Sequence, residues 1–304
     1  MNMNIKNSIL LLLLFSVLTS CKQTNKNKNF YDWNNGSVVI IADSNLRNVL
    51  EPLVPIYENF YPKASVSFQY TSEDNAIQNF LKNKNTIIAT ARQLSDAEQQ
   101  EATINQDAKI VESIFAYDAI AVIANKSYPD SVFTIENTAH FLEKTTATKL
   151  VFDNSKSGIV RTILQLSNAA PDSFKNAYAL NSIEEVLRYV ASNKNAIGFI
   201  PYNILSNRNE KQAQEIRATF KFLAVSYKNK ITTLSQEHIY NQTYPLIRPI
   251  VIYIGNCPDL VGQGFTNFLF SRQISKALIL SGLVPQTISD RDVVVTNEFH
   301  PNNN

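Results

Sequence analysis

The chain is poor in the side chains that most often carry catalysis. Its three histidines, His140, His238 and His300, lie far apart, and its two cysteines are Cys21 and Cys257. That spacing speaks against a Cys/His zinc cluster. Each histidine stands alone and reads as a surface or satisfied core residue rather than a general base. GxSxG, Walker, GxGxxG and HExxH sequences are all missing, so common nucleophile, nucleotide and metalloprotease chemistry finds no foothold. Asp153, Asp290 and Asp292 have no spacing that singles them out, and read as solvated loop residues. Charge of neither sign dominates: Lys+Arg 28 against Asp+Glu 26 gives +2, too weak a field for a nucleic-acid partner. Gly 7 and Pro 11 in 304 residues exclude collagen-like or low-complexity architecture.

What is present is a globular composition, 44% hydrophobic and 18% charged, long enough for one large or two ordinary domains. Residues 1–20 form a signal-like segment: Lys6 precedes an apolar run from Ile9 to Leu18, too short for a bilayer core of roughly 30 Å. Leu18-Thr19-Ser20-Cys21 resembles the bacterial lipobox, in which the cysteine is acylated and becomes the new N-terminus; an ordinary cleavage site with Cys21 incidental is the alternative. Residues 21–36 begin with a Lys/Asn/Gln-rich stretch that reads as a flexible tether. With Cys21 lipidated, Cys257 has no disulfide partner and reads as a small buried apolar residue.

The remaining chain alternates strand and helix patterns. Ser37–Ala42, Ala64–Tyr70 and Thr86–Thr90 predict strands, separated by helical spacing over Leu46–Phe60 and around Ile77–Leu81. Ser95-Asp-Ala-Glu98 predicts a capping box. This βαβαβ order argues for a parallel sheet with helical crossovers. Phe115–Asn125 predicts a long strand passing from one lobe to another. Further strands are predicted at Lys149–Phe152, Ala196–Ile200 and Pro245–Ile254, with helices at Ile135–Leu142, from Gly158, at Ser182–Ala191 and at Gly262–Leu280. The fold class is α/β with two lobes, 37–119 plus 250–304 and 120–249.

Polar, hydroxyl-rich segments sit where strands end and helices begin. They are Asp43-Ser44-Asn45, Thr71-Ser72-Glu73, Thr90-Ala91-Arg92 and Asn154-Ser155-Lys156-Ser157-Gly158. Helix N-termini converging on a cleft make an anion site, and Ser, Thr and Arg add donors. Helix capping alone would also account for each segment.

Five stretches in order resemble the phosphate-type substrate-binding proteins of ABC transporters, a periplasmic binding-protein fold of the second class. Ile87–Glu98 is similar to that family's DIA-x-S-S-R-x-L segment. Tyr117-Asp118-Ala-Ile-Ala-Val-Ile-Ala-Asn125 is similar to its x-D-A-I-A-V-I-V-N strand. Asn154–Gly158 stands at its Ser-Gly-Thr loop, Asn195–Ile200 resembles x-A-I-G-Y-V, and Tyr244–Arg248 resembles Y-P-L-x-R. Val151–Arg161 resembles lipoprotein members from the Bacteroidetes group. The resemblance covers roughly 38–285. It implies two lobes of mainly parallel sheet flanked by helices and joined by two crossing strands, closing on phosphate or a related oxyanion.

The resemblance further implies a lipid-anchored monomer on the periplasmic face of a bacterial membrane, delivering solute to an ABC permease without enzymatic activity, cofactor or metal. Its ligand residues would be Ser44, Asn45, Thr71, Ser72, Thr90, Ala91, Arg92, Ser155, Ser157, Gly158 and Arg161, with Asp118 and Arg248 pairing the lobes at the hinge. The departures erode the site. Ile159 replaces a threonine, Ala91 a serine, Thr86 the opening acid, and Thr71-Ser72-Glu73 a Gly-Ser-Gly turn that brings a carboxylate near any anion. An arginine found ahead of the Ser-Gly loop in some members is absent, and Arg161 substitutes. A related chain that has lost its ligand, acting as a cell-envelope sensor or interaction protein, is the alternative.

Overall fold

A computed structural model describes residues 33–142, 146–167, 169, 177–257 and 259–287. The signal-like segment, Cys21, Asp290, Asp292 and His300 lie outside them. The fold begins before the expected end of the tether. Strand β1 (Asn35–Asp43) already pairs Asn35 and Gly36 with Lys63 and Ala64 of β2 (Lys63–Thr71). Trp33 packs edge-on against Tyr61 at 4.8 Å between ring centroids, and its carbonyl accepts from the Tyr57 hydroxyl. An aromatic anchor thus fixes what composition reads as linker.

The stretch expected as one helix after β1 is broken four ways: 3-10 turns at Ser44–Leu46 and Glu51–Leu53 alternate with helices at Arg47–Leu50 and Val54–Phe60. Pro52 and Pro55 lack the N–H that a continuous helix needs and sit near the start of the later segments. Helix α1 (Glu73–Lys82) follows β2, capped by the Ser72 hydroxyl, which accepts from the Asn75 N–H. Next come β3 (Ile87–Thr90) and α2 (Asp96–Gln106), the latter opened by the predicted Ser95/Glu98 capping box.

Strand β4 (Val111–Asn125) is the long member of the molecule. Its first part, Val111–Ala119, pairs antiparallel with β12 (Ile247–Ile254), and its second part, Ile120–Ala124, pairs with β8 (Ala196–Pro201). Strands β5 (Val132–Thr134), β6 (Lys149–Phe152) and β7 (Tyr178–Ala179) intervene, with α3 (Gly158–Ser167) and α4 (Ile183–Ser192). The principal sheet runs β2-β1-β3-β12-β4-β8-β6-β7, with β9 (Phe220–Phe222) and β13 (Val284–Pro285) also on β4. Pairing is parallel within β2-β1-β3 and within β8-β6-β7, as the βαβ order requires. The chain returns across the middle through the segment entering β12, where the Ile120 N–H donates to the Leu246 carbonyl.

A small second sheet joins β5 to the hairpin β10 (Ala224–Tyr227) and β11 (Lys230–Thr232). Its turn places Lys228 and Asn229 at φ 49° and 60°, so no glycine announces it. Helix α5 (Lys211–Thr219) precedes β9. The terminal helical pattern resolves into α6 (Leu260–Phe268) and α7 (Arg272–Leu280), split where the Ser271 hydroxyl caps the second. Buried side chains from both halves of the sheet form one continuous core, with a smaller cluster of Ile77, Phe80, Ile88, Leu94 and Tyr253 under α1 and α2. Cys257 is a free thiol, half-buried at the margin of the main core rather than enclosed by it.

Candidate functional site

The carboxyl ends of β1, β2, β3 and β6 deliver the four polar segments to a common region between the two halves of the sheet. Each helix that follows supplies a capped N-terminus. The Ser157 hydroxyl accepts from the Val160 N–H and so begins α3, while Asn154 Oδ1 accepts from the Lys156 N–H and holds the preceding turn. Gly158 is the first residue of α3 and presents bare backbone.

The first residue of α1 reaches that spot. Glu73 is completely buried, although a carboxylate at a helix start is ordinarily solvated. Its Oε1 accepts from the Ala91 N–H at 3.0 Å. Its Oε2 lies 3.4 Å from Arg161 Nη1 and 3.6 Å from Arg92 Nε. A Cβ placed on Gly158 would fall 2.5 Å from Glu73 Oε2 and 2.8 Å from Oε1, so the carboxylate lies directly on the opening residue of α3. The opening residue of α3, a backbone amide and two guanidinium groups therefore converge on one side-chain anion.

Both arginines are shared. Arg92 makes a two-pronged contact with Glu98, at 2.7 Å on each prong. Burial alone would raise the Glu98 carboxyl, but the Arg92 fork and the Ser95 N–H hold it below the usual carboxylate range. Arg161 also pairs with Asp74. Two cations thus face three carboxylates, and no positive charge is left over.

A second cluster lies next to the first. Asp43, Asp118, Asp153, Asn203 and Arg248 are all buried. Arg248 Nη2 donates to Asp118 Oδ2 at 2.8 Å across the β12–β4 pair, where the two residues stand opposite each other. Asn203 Nδ2 donates to the same oxygen at 2.7 Å and to the Asn45 carbonyl at 2.9 Å. Asn45 Nδ2 donates to Asp153 Oδ2 at 3.0 Å, linking the ends of β1 and β6. Yet Asp43 Oδ2, Asp118 Oδ1, Asp153 Oδ1, Arg248 Nε and Arg248 Nη1 have no hydrogen-bond partner. Burial first, then the negative charge of Glu73, raises the Asp43 carboxyl to about 8 against the pull of Arg248, with Asp153 adding a smaller push.

Of the residues expected to bind ligand, Ala91, Arg92, Gly158 and Arg161 meet around Glu73. Thr90 is buried but spends its hydroxyl on the Arg92 carbonyl. Thr71 accepts from Asn75 Nδ2, and Ser72 and Ser157 serve as helix caps. Ser44 and Ser155 are exposed. Asn45 joins the second cluster. Asp153, expected in a solvated loop, is 3% exposed, because it closes β6 against Asn45. Asp43, part of the polar segment that ends β1, caps the following turn by accepting from the Asn45 N–H and also enters this cluster, whereas Asn203 carries no signal in the sequence.

A polar cleft of about 250 Å³ adjoins the clusters, lined by Ser44, Asn45, Asp153, Asn154 and others. A larger cavity, about 640 Å³, is lined by Tyr117, Tyr227, Lys228 and Lys230 among others and contains none of the expected ligand residues. Chemistry rather than size therefore locates the site. Among the described residues no group of three or more His, Cys, Asp or Glu is arranged to hold a metal ion. No described helix is long and apolar enough to cross a membrane.

A family described as PBP superfamily domain matches residues 31–273. Solved structures of similar fold include a Clostridium perfringens protein described as a phosphate ABC transporter substrate-binding protein, with phosphate bound. It is 18% identical, covers 83% of this chain and 100% of its own, and has a TM-score of 0.66. An ABC-type phosphate transport receptor from Vibrio cholerae is 18% identical over 82% of this chain and 100% of its own, at 0.61. The reduced form of OxyR from Neisseria meningitidis is 13% identical over 83% and 100%, at 0.55. No curated protein sequence matches. At these identities the likeness establishes the fold, a mixed α/β architecture of the type II periplasmic-binding-protein kind.

Proposed function

We propose that this chain, which belongs to the PBP superfamily domain family, is a non-enzymatic solute-binding protein that captures phosphate or a related oxyanion between its two lobes, 37–119 plus 250–304 and 120–249. The reading includes a lipid anchor at Cys21, a periplasmic location and delivery to an ABC permease. One observation carries it: the Ala91 N–H, Arg92, Arg161 and the start of α3 all converge on a single carboxylate. A tetrahedral oxyanion could use the same donors, with charge-assisted bonds in a place from which water is displaced. The phosphate-associated structures of similar fold support the choice of anion. Asp118 and Arg248, paired on crossing strands, act in this reading as the hinge.

Calorimetric titration with phosphate, sulfate, molybdate and phosphonates tests it on the mature chain and on Arg161→Ala. Binding that Arg161→Ala weakens tenfold or more, roughly 1.4 kcal/mol, is expected. Absence of binding by every one of these anions, in the wild type and in a chain with Glu73 neutralised, sinks the reading. A second reading, in which a chain that holds no solute works as a cell-envelope sensor or interaction protein, rests on Glu73 alone standing in the anion position and is not favoured by the structures of similar fold.

A further inference from the structure

We propose that Glu73 is the resident ligand of the anion position: it latches the two halves of the sheet together without solute, and it must withdraw before any external anion enters. The second clause rests on the capture reading above; the first does not.

Three observations support the latch. The first is steric: with Glu73 Oε2 within 2.5 Å of where a Gly158 Cβ would sit, the space above the start of α3 is already filled. The second is donor accounting. The Ala91 N–H is spent on Glu73 at 3.0 Å, and both guanidinium groups that could greet a newcomer are within 3.6 Å of the same carboxylate. The third is geography. Glu73 and Asp74 open α1, behind β2, whereas Gly158 and Arg161 open α3, behind β6, on the far side of β4 in the strand order. Arg161 pairs with both acids, so these contacts tie one half to the other just as a bound anion would.

An intramolecular carboxylate competes at the effective concentration of a tethered group, in the millimolar range. A latch closed 99% of the time weakens external binding about a hundredfold, since only the open fraction is competent. Selectivity follows from the same arithmetic. A free monocarboxylate offers no bond that Glu73 lacks and pays the entropy of association besides. Only an anion with more charge and more acceptor oxygens, such as a tetrahedral oxyanion, can win. Glu73 thereby acts as the specificity-determining residue of the site.

Small-angle scattering and calorimetry on the wild type, Glu73→Gln and Arg161→Gln, with phosphate as the probe, decide the matter; circular dichroism confirms that each is folded. The latch predicts a compact wild type without phosphate and a measurable rise in radius of gyration in both variants, since each cuts the bridge from a different half. Glu73→Gln should also bind phosphate at least tenfold more tightly than the wild type. A wild type that is expanded without phosphate, or variants as compact as the wild type, overturns the latch. Phosphate bound equally by the wild type and Glu73→Gln also overturns it and leaves capture standing. Expansion of both variants with no oxyanion binding in any chain upholds the latch and removes capture.

Discussion

The two polar clusters between the sheet halves differ in how completely they are satisfied. Around Glu73 the charges are closely paired: both carboxylate oxygens are engaged and each arginine serves two acids, although Arg92 Nε, 3.6 Å from Glu73, makes no hydrogen bond. Around Arg248, buried oxygens and nitrogens are left without partners, and the carboxyl of Asp43 is pushed up to about 8. The first cluster behaves like an ion-pair network with a single buried nitrogen, Arg92 Nε, left over among the described residues. The second holds three acids, Asp43, Asp118 and Asp153, against one guanidinium, and can relieve the excess by keeping a proton. A buried charge is tolerable when paired and costly when not, so damage to the two clusters should register differently.

The largest effect is expected where one cation carries the imbalance. Arg248→Met strands Asp118 in the core and should cost about 3–5 kcal/mol in urea unfolding at neutral pH. A loss below 1 kcal/mol would mean that solvent already reaches Asp118. Next comes the proton on Asp43. Its folded pKa, about 8, lies above the ordinary 3.8, so between these values the unfolded chain releases a proton that the folded chain keeps. Stability therefore falls as pH rises through this window, at up to 1.36 kcal/mol per pH unit and by about 2–3 kcal/mol between pH 5 and 7. Asp43→Asn keeps an oxygen for the Asn45 N–H and should flatten that slope; an unchanged slope would assign the proton elsewhere. The smallest effect belongs to the better-paired cluster. Gly158→Ala drives a methyl group into Glu73 and should cost about 1–3 kcal/mol. Pairing it with Glu73→Ala should recover most of that loss, a coupling measurable in a double-mutant cycle. Purely additive losses would place the strain outside this contact.

Strand positions were largely legible because β-branched runs such as Val38–Ile41 and Ile87–Ile88 have few other readings. Helix continuity was less so. Leu46–Phe60 keeps helical spacing right through Pro52 and Pro55, and periodicity cannot report a missing N–H. The spacing from Gly262 to Leu280 likewise runs across Ser271, whose hydroxyl starts a new helix. The Lys228–Asn229 turn went unseen because both residues adopt positive φ without a glycine. At the site, helix-start chemistry pointed to Ala91, Arg92 and Gly158, the family resemblance added Arg161, and Glu73 stood out as an unhelpful charge. Its reach across to α3 depends on tertiary geometry, which no local pattern encodes. The Asp43–Asp118–Asp153 cluster was hidden for the same reason, since three acids distant in sequence meet only after the sheet has formed.

The strand order also governs how the chain can assemble. Strand β12 lies between β3 and β4, yet it is made long after both. Until Ile247–Ile254 emerges, a nascent chain presents two sticky, unzipped borders flanking a gap. Such late, long-distance stitching slows folding and prolongs the interval in which unpaired borders invite aggregation. A ribosome-bound or truncated product ending ahead of residue 247 would thus lack its central seam, and holding such a half-made sheet apart from its neighbours is a task suited to a chaperone.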